Sequence, residues 1–142
     1  MLDREQVEPP RVQVEFSAAV NGRELTAILS FANHSPRAVY LEKQKTALES
    51  ALAYNVFVIT EQGRRIPFTG PMVKRPPPRD DDFVRLASGT TLDAKVRLEA
   101  FYEFPSGSRD YEIVYEAFNS SYHDQPLMEL VSNRVTVRYP AG

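Results

Sequence analysis

No cysteine occurs in the 142 residues, and only two histidines do. The first absence excludes a disulfide framework, a thiolate metal site and a cysteine nucleophile. It suits a reducing compartment and does not conflict with the periplasm. The two histidines, His34 and His123, are far apart and show no ligand spacing such as His-x3-His. HExxH, GxSxG and a phosphate-cradling glycine loop are also missing. No stretch approaches the ~20 apolar residues a membrane span needs. The first residues, Met1-Leu2-Asp3-Arg4-Glu5-Gln6, are charged and lack the apolar run of a signal peptide. The expectation is a cytoplasmic protein as written, or a periplasmic or secreted one if a leader has been trimmed. Charge of either sign is not in excess: 17 Lys and Arg against 19 Asp and Glu leave a formal net charge of −2. So balanced a chain offers neither a nucleic-acid groove nor a membrane surface.

What the sequence does have is alternation. Apolar residues make up 42% and charged residues 25%, ordinary for one globular domain that buries about 68–70% of its unfolded surface. Residues 1–10 read as a flexible leader ending at Pro9-Pro10, and 11–142 as a single domain. Val12, Val14, Phe16, Ala18 and Val20 alternate with polar neighbours. Asn21-Gly22 is a tight-turn signal, and Leu25, Ala27, Leu29 and Phe31 resume the period of two, which predicts a hairpin. The central strand is predicted at 110–118, with Tyr111, Ile113, Tyr115 and Ala117 on one face and Glu112, Val114 and Glu116 on the other. Tyr111, at the start of that strand, resembles the tyrosine corner of immunoglobulin-like sandwiches.

Shorter strands are expected around Val39, over 55–60, around Ile66 at an edge (Pro67 removes a donor), over 83–86 and 92–98. A last strand from Met128 to Tyr139 breaks near Ser132-Asn133. Between Glu42 and Tyr54, Ala47, Leu48, Ala51 and Leu52 at helical spacing predict one or two turns of helix, with a loop carrying buried leucines as the alternative. The sum is an all-β, immunoglobulin-like antiparallel β-sandwich of about seven to nine strands with one short helical insert. The residues do not separate a sandwich from a barrel.

Candidate chemistry is sparse, so the expectation is a non-enzymatic protein without cofactor or metal. His34 and His123 are expected as exposed loop residues. Asp80-Asp81-Asp82 could offer hard oxygen ligands to calcium, but consecutive carboxylates point in different directions, and a solvated acidic turn is the favoured reading. Most of the eight Phe and seven Tyr sit at alternating strand positions and belong to the core. Tyr40, Tyr54, Tyr122 and Tyr139 are left as candidates for an exposed sugar-binding face. The stretch from Phe68 to Pro78 is a proline-stiffened loop that presents Met72, Val73, Lys74 and Arg75 at low ordering cost, a candidate partner-binding element.

The run Ile66-Pro67-Phe68-Thr69-Gly70-Pro71-Met72-Val73-Lys74-Arg75, followed by Phe83-Val84-Arg85-Leu86 and Ser88-Gly89, belongs to a wider pattern. With Leu98 to Tyr102, Tyr111-x-Ile113-x-Tyr115 and Ser132-Asn133, it resembles the β-sandwich domain that precedes the catalytic domain in bacterial metalloendopeptidases of the deuterolysin (peptidyl-Lys) type. The resemblance runs from about Val12 to Tyr139. It departs from that pattern in the triple proline, the triple aspartate and the insert at 42–54. The resemblance implies a propeptide-like or inhibitor-like module without its protease domain. Its expected partner is a zinc metalloendopeptidase, with Lys74 in the pocket of a lysine-selective protease and Met72 and Val73 beside it. A structural domain that forms a homodimer through a sheet edge is the second expectation, and a carbohydrate-binding module the third.

Overall fold

The computed structural model describes residues 9–71 and 76–142. Residues 1–8 of the expected leader (1–10) and the run Met72, Val73, Lys74 and Arg75 lie outside the described residues. Ten strands follow in chain order among the described residues: β1 (Val12–Asn21), β2 (Glu24–Asn33), β3 (Val39–Glu42), β4 (Phe57–Glu61), β5 (Arg64–Arg65), β6 (Phe83–Leu86), β7 (Thr91–Arg97), β8 (Gly107–Asn119), β9 (Met128–Val131) and β10 (Val135–Ala141). They form an antiparallel all-β sandwich of open sheets, in the orders β1-β2-β7, β10-β8-β4-β5 and β3-β6, with β9 also paired to β8. Among the described residues no sheet closes on itself, which decides for a sandwich over a barrel. The count exceeds the expected nine because the last strand, broken near Ser132-Asn133, is two strands, β9 and β10; the edge strand expected around Ile66 is β5, two residues long at Arg64–Arg65.

The alternation that marked each strand is what assembles the core. In β1 and β2, Val14 pairs with Phe31 and Phe16 with Leu29, all four buried. In the other layer Phe57 pairs with Tyr115 and Ile59 with Ile113. The layers meet through rings: Phe16 lies 5.6 Å from Phe57, and Phe31 sits edge-on to Tyr115 at 5.6 Å. Such tilted and edge-on pairs match the charge distribution of the rings. β8 is the hub, pairing along its length with β10, β4 and β9.

Two turns show why glycine stands where it does. Asn21 pairs with Glu24, so the first hairpin loop is Gly22-Arg23, one residue later than Asn21-Gly22. Gly22, at φ +62, takes the position that needs positive φ in a II′ turn. At the β4–β5 reversal Gln62 (φ +50) and Gly63 (φ +83) both adopt it, as a I′ turn requires.

The expected helical insert shrinks to a single 3₁₀ turn at Lys43–Lys45. Ala47 (φ +60) and Ser50 (φ +59) enter the left-handed region and end any helical run. Ala47 and Leu52 are nonetheless buried in the core, while Ala51 is exposed. The residues at helical spacing thus serve a packed loop, not one helix face.

Tyr111 is not a tyrosine corner. Its ring packs edge-on against Phe104 at 5.1 Å, and its hydroxyl is buried with no hydrogen-bond partner among the described residues. Three other tyrosines hold loops instead. The Tyr102 hydroxyl donates to Asn55 Oδ1 (2.7 Å), Tyr115 to the Lys45 carbonyl (2.5 Å) and Tyr139 to the Arg23 carbonyl (2.5 Å).

Amide side chains complete the seams between sheets. Asn133 accepts from the Phe16 N–H (2.8 Å) and donates to its carbonyl (2.9 Å), and so serves β1 as a neighbouring strand would. Gln125 does the same for Tyr40 on β3, at 2.9 Å each way. Asn119, fully buried at the end of β8, accepts from the Glu42 N–H (2.8 Å) and donates to the Tyr40 carbonyl (2.9 Å). Beside it the buried Glu42 carboxylate accepts from the Ser120 N–H (2.7 Å) and pairs with Lys45 (3.2 Å). A buried strand end has no water to turn to, and these side chains supply the missing partners.

Candidate functional site

The proline-rich loop enters and leaves the described structure at fixed points. On the way in, Phe68 packs against Tyr102 with ring centroids 5.3 Å apart, and the Thr69 N–H donates to the Phe101 carbonyl (2.7 Å). On the way out, Pro76 to Asp81 are exposed, and the chain rejoins the fold through a 3₁₀ turn at Asp80–Asp82. The Arg79 N–H donates to Asp82 Oδ2 (2.8 Å), which makes one of the three aspartates a capping group. Asp80 instead reaches His123 Nε2 at 3.3 Å. Among the described residues no group of three or more His, Asp or Glu could hold a metal ion.

Both histidines are exposed, as expected; His34 lies 3.0 Å from Gln13 Oε1. The four candidate sugar-stacking tyrosines do not form a platform together. Tyr139 is buried, its hydroxyl tied to Arg23. Tyr54 has the Lys45 ammonium 5.2 Å from its ring centre. Tyr40 and Tyr122 stack on one another at 4.3 Å, and Phe83 tilts against Tyr122 at 4.7 Å. Their apolar faces are largely spent on each other.

A depression of about 940 Å³ follows β1, β2 and β7 past Ser132, and its titratable groups are Glu15, Asp93 and Lys95. Buried tyrosines carry the clearest electrostatic signature. Burial pushes the Tyr102 and Tyr115 hydroxyls well above the usual phenol value, and the Glu42 charge adds to the effect at Tyr115. Both are bonded inside the core, where they keep the protonated form as structural donors.

The surface feature that stands apart is the outer face of β4, β8 and β9. Along β8 the buried positions are Tyr111, Ile113, Tyr115, Ala117 and Asn119, so Glu112, Val114, Glu116 and Phe118 point away from the core. Register places Val58 opposite Val114, Val131 opposite Glu116 and Glu129 opposite Phe118. Leu127 extends the outward set of β9 by one more position. Phe118 is 56% exposed, Leu127 59% and Val131 47%, and Val58 and Val114 are half-buried. Diagonal neighbours on a strand pair lie roughly 7–8 Å apart, within reach of large side chains, so these residues form one stripe. Toward β10 the same face is closed by ion pairs, Arg138 with Asp110 (3.4 Å) and Arg134 with Glu112 (3.9 Å). Glu116 and Glu129, set into the stripe, have no ion-pair partner among the described residues.

Sequence reasoning passed over this stripe. The available signal was Val114 and Phe118 interrupting the otherwise acidic face of the central strand. Among the described residues no helix is long and apolar enough to cross a membrane. No protein-family model matches the chain, and no curated protein matches it.

Proposed function

We propose that this chain is a non-catalytic protein-binding module. The observation that carries the reading is the exposed stripe of Phe118, Leu127 and Val131, continued by Val58 and Val114 on one outer sheet face. Single exposed apolar residues are common on any surface, but a contiguous set on a rigid sheet marks a surface for another protein. The sheet beneath is held by its own ladder, so the face is preorganised and loses little entropy on binding.

Photo-crosslinking from position 131, compared with the exposed position 106 in the turn before β8, tests this. The expected result is discrete adducts from 131 that a Phe118→Ser change abolishes. The same adduct pattern from both positions refutes it.

The sharper form of the proposal is restraint of a metalloendopeptidase by Met72, Val73, Lys74 and Arg75. It is supported by the resemblance over residues 66–86 and by the anchoring of Phe68 and Arg79 at the two ends of the loop. It is tested by Lys74→Ala in an inhibition assay against a lysine-selective zinc endopeptidase. Unchanged inhibition removes that form and leaves the binding-module reading in place.

A further inference from the structure

We infer that the outer face of β4, β8 and β9 receives a basic amphipathic helix of a partner protein; this rests on the reading of that face as a protein-binding surface. Three observations select this occupant.

The first is charge. Glu116 and Val131 form one cross-strand pair, Phe118 and Glu129 the next, so two carboxylates flank the apolar diagonal from Val131 to Phe118. The other carboxylates of this face, Glu112 and Asp110, already face Arg134 and Arg138. Glu116 and Glu129 do not have such a partner among the described residues. An occupant with Lys or Arg on both sides of an apolar ridge would supply the two missing cations. A second copy laid face to face across this diagonal would bring the same carboxylates toward one another.

The second is backbone hydrogen bonding. Backbone groups of a sheet bond within its plane, those of β8 to β4, β10 and β9, so its face offers them to no ligand. An extended segment laid there would turn its own N–H and C=O groups toward apolar side chains with nothing to bond. A helix bonds its backbone internally and can bury one side against such a face.

The third is length. Val114 to the level of Leu127 spans about 20 Å at 3.4 Å per residue. A helix covers that distance in about thirteen residues at 1.5 Å rise, presenting apolar side chains at i, i+3, i+4 and i+7.

The test uses the full chain and a labelled, end-capped peptide of about eighteen residues, long enough to populate a helix, with leucine at those spacings and lysine on both flanks. Comparison peptides carry glutamate for lysine, or proline in the middle. Fluorescence anisotropy is expected to show the lysine peptide binding at least about tenfold tighter than either comparison, with affinity falling between 50 and 500 mM salt. E116K/E129K should reverse the preference between lysine and glutamate peptides, and F118S should weaken both. All three positions are exposed, and the salt dependence of the unmodified chain provides a readout that needs no variant.

Equal binding of the proline peptide overturns the helix, and absence of a charge preference overturns the basic partner. A concentration-dependent mass that F118S abolishes, without peptide binding, assigns the face to a second copy. If no peptide binds while crosslinks from position 131 persist, the inference fails and the binding module stands. If the crosslinks also vanish, both fail.

Discussion

Replacing Asn119 by alanine tests the idea that side-chain amides stand in for absent strands at the seams of this sandwich. Asn119 is fully buried, and its amide serves the Glu42 N–H, the Tyr40 carbonyl and, at 3.3 Å, the Ser120 carbonyl. Truncation leaves the Glu42 N–H without a partner in a site closed to water, which costs about 1–3 kcal/mol. The Tyr40 carbonyl keeps the Gln125 amide, so its share is the smaller net value of a replaceable bond, about 0.5–1.5 kcal/mol. The sum, about 1.5–4.5 kcal/mol, lowers the melting temperature of a domain this size by about 5–15 °C.

Asn133 provides the internal control. It makes the same two-bond contact with Phe16, but from an exposed position where water can replace it. Its alanine variant should therefore cost no more than about 1 kcal/mol. Urea unfolding monitored by tyrosine fluorescence measures both. A smaller loss for Asn119→Ala than for Asn133→Ala would falsify the assignment of the seam to buried amides. Asn119→Asp should do no better than alanine, because it sets a carboxylate against the Tyr40 and Ser120 carbonyls.

Stability should decline with rising pH once the solvent exceeds the ordinary phenol value near 10. The folded-state pKa values of Tyr102 and Tyr115 are raised, so the fold favours the protonated form. Their contribution is complete below pH 10 and is lost above it, at about 1.4 kcal/mol per pH unit for each. Absorbance at 295 nm should show their ionisation only together with unfolding, and Tyr115→Phe should flatten the alkaline limb. Leu130→Ala, at a fully buried position on β9, should cost about 2–5 kcal/mol by urea denaturation; a loss below 1 would show that this end of the core can collapse. Gly63→Ala forces a Cβ into φ +83 and should cost about 1–2 kcal/mol, whereas Gly70→Ala, whose added Cβ would run into the Phe68 ring, should instead loosen the Phe68–Tyr102 contact, seen as a change in the Tyr102 ring resonances.

Much of the sandwich was legible along the chain because the signal of a strand is local. Two-residue alternation at Val14-Phe16, Leu25 to Phe31 and Tyr111 to Ala117 specifies which side of each strand is oily, whatever it later packs against. The glycine turns were legible for the same reason, since positive φ is a property of one residue. The 42–54 segment was misread in part because helical spacing of Ala47, Leu48, Ala51 and Leu52 is also compatible with a loop pinned by the Tyr115 hydroxyl and by Glu42. That pinning needs residues about seventy positions away.

By itself, then, the amino-acid order determined a layered β protein and the inward side of its strands, because neighbouring side chains on an extended backbone must point opposite ways. Tertiary structure alone decided that Asn119, Gln125 and Asn133 act as strand surrogates and that Phe118, Leu127 and Val131 stay uncovered. Both outcomes depend on which distant segment arrives at a surface, and the Val131 to Phe118 diagonal exists only once β9 has paired with β8.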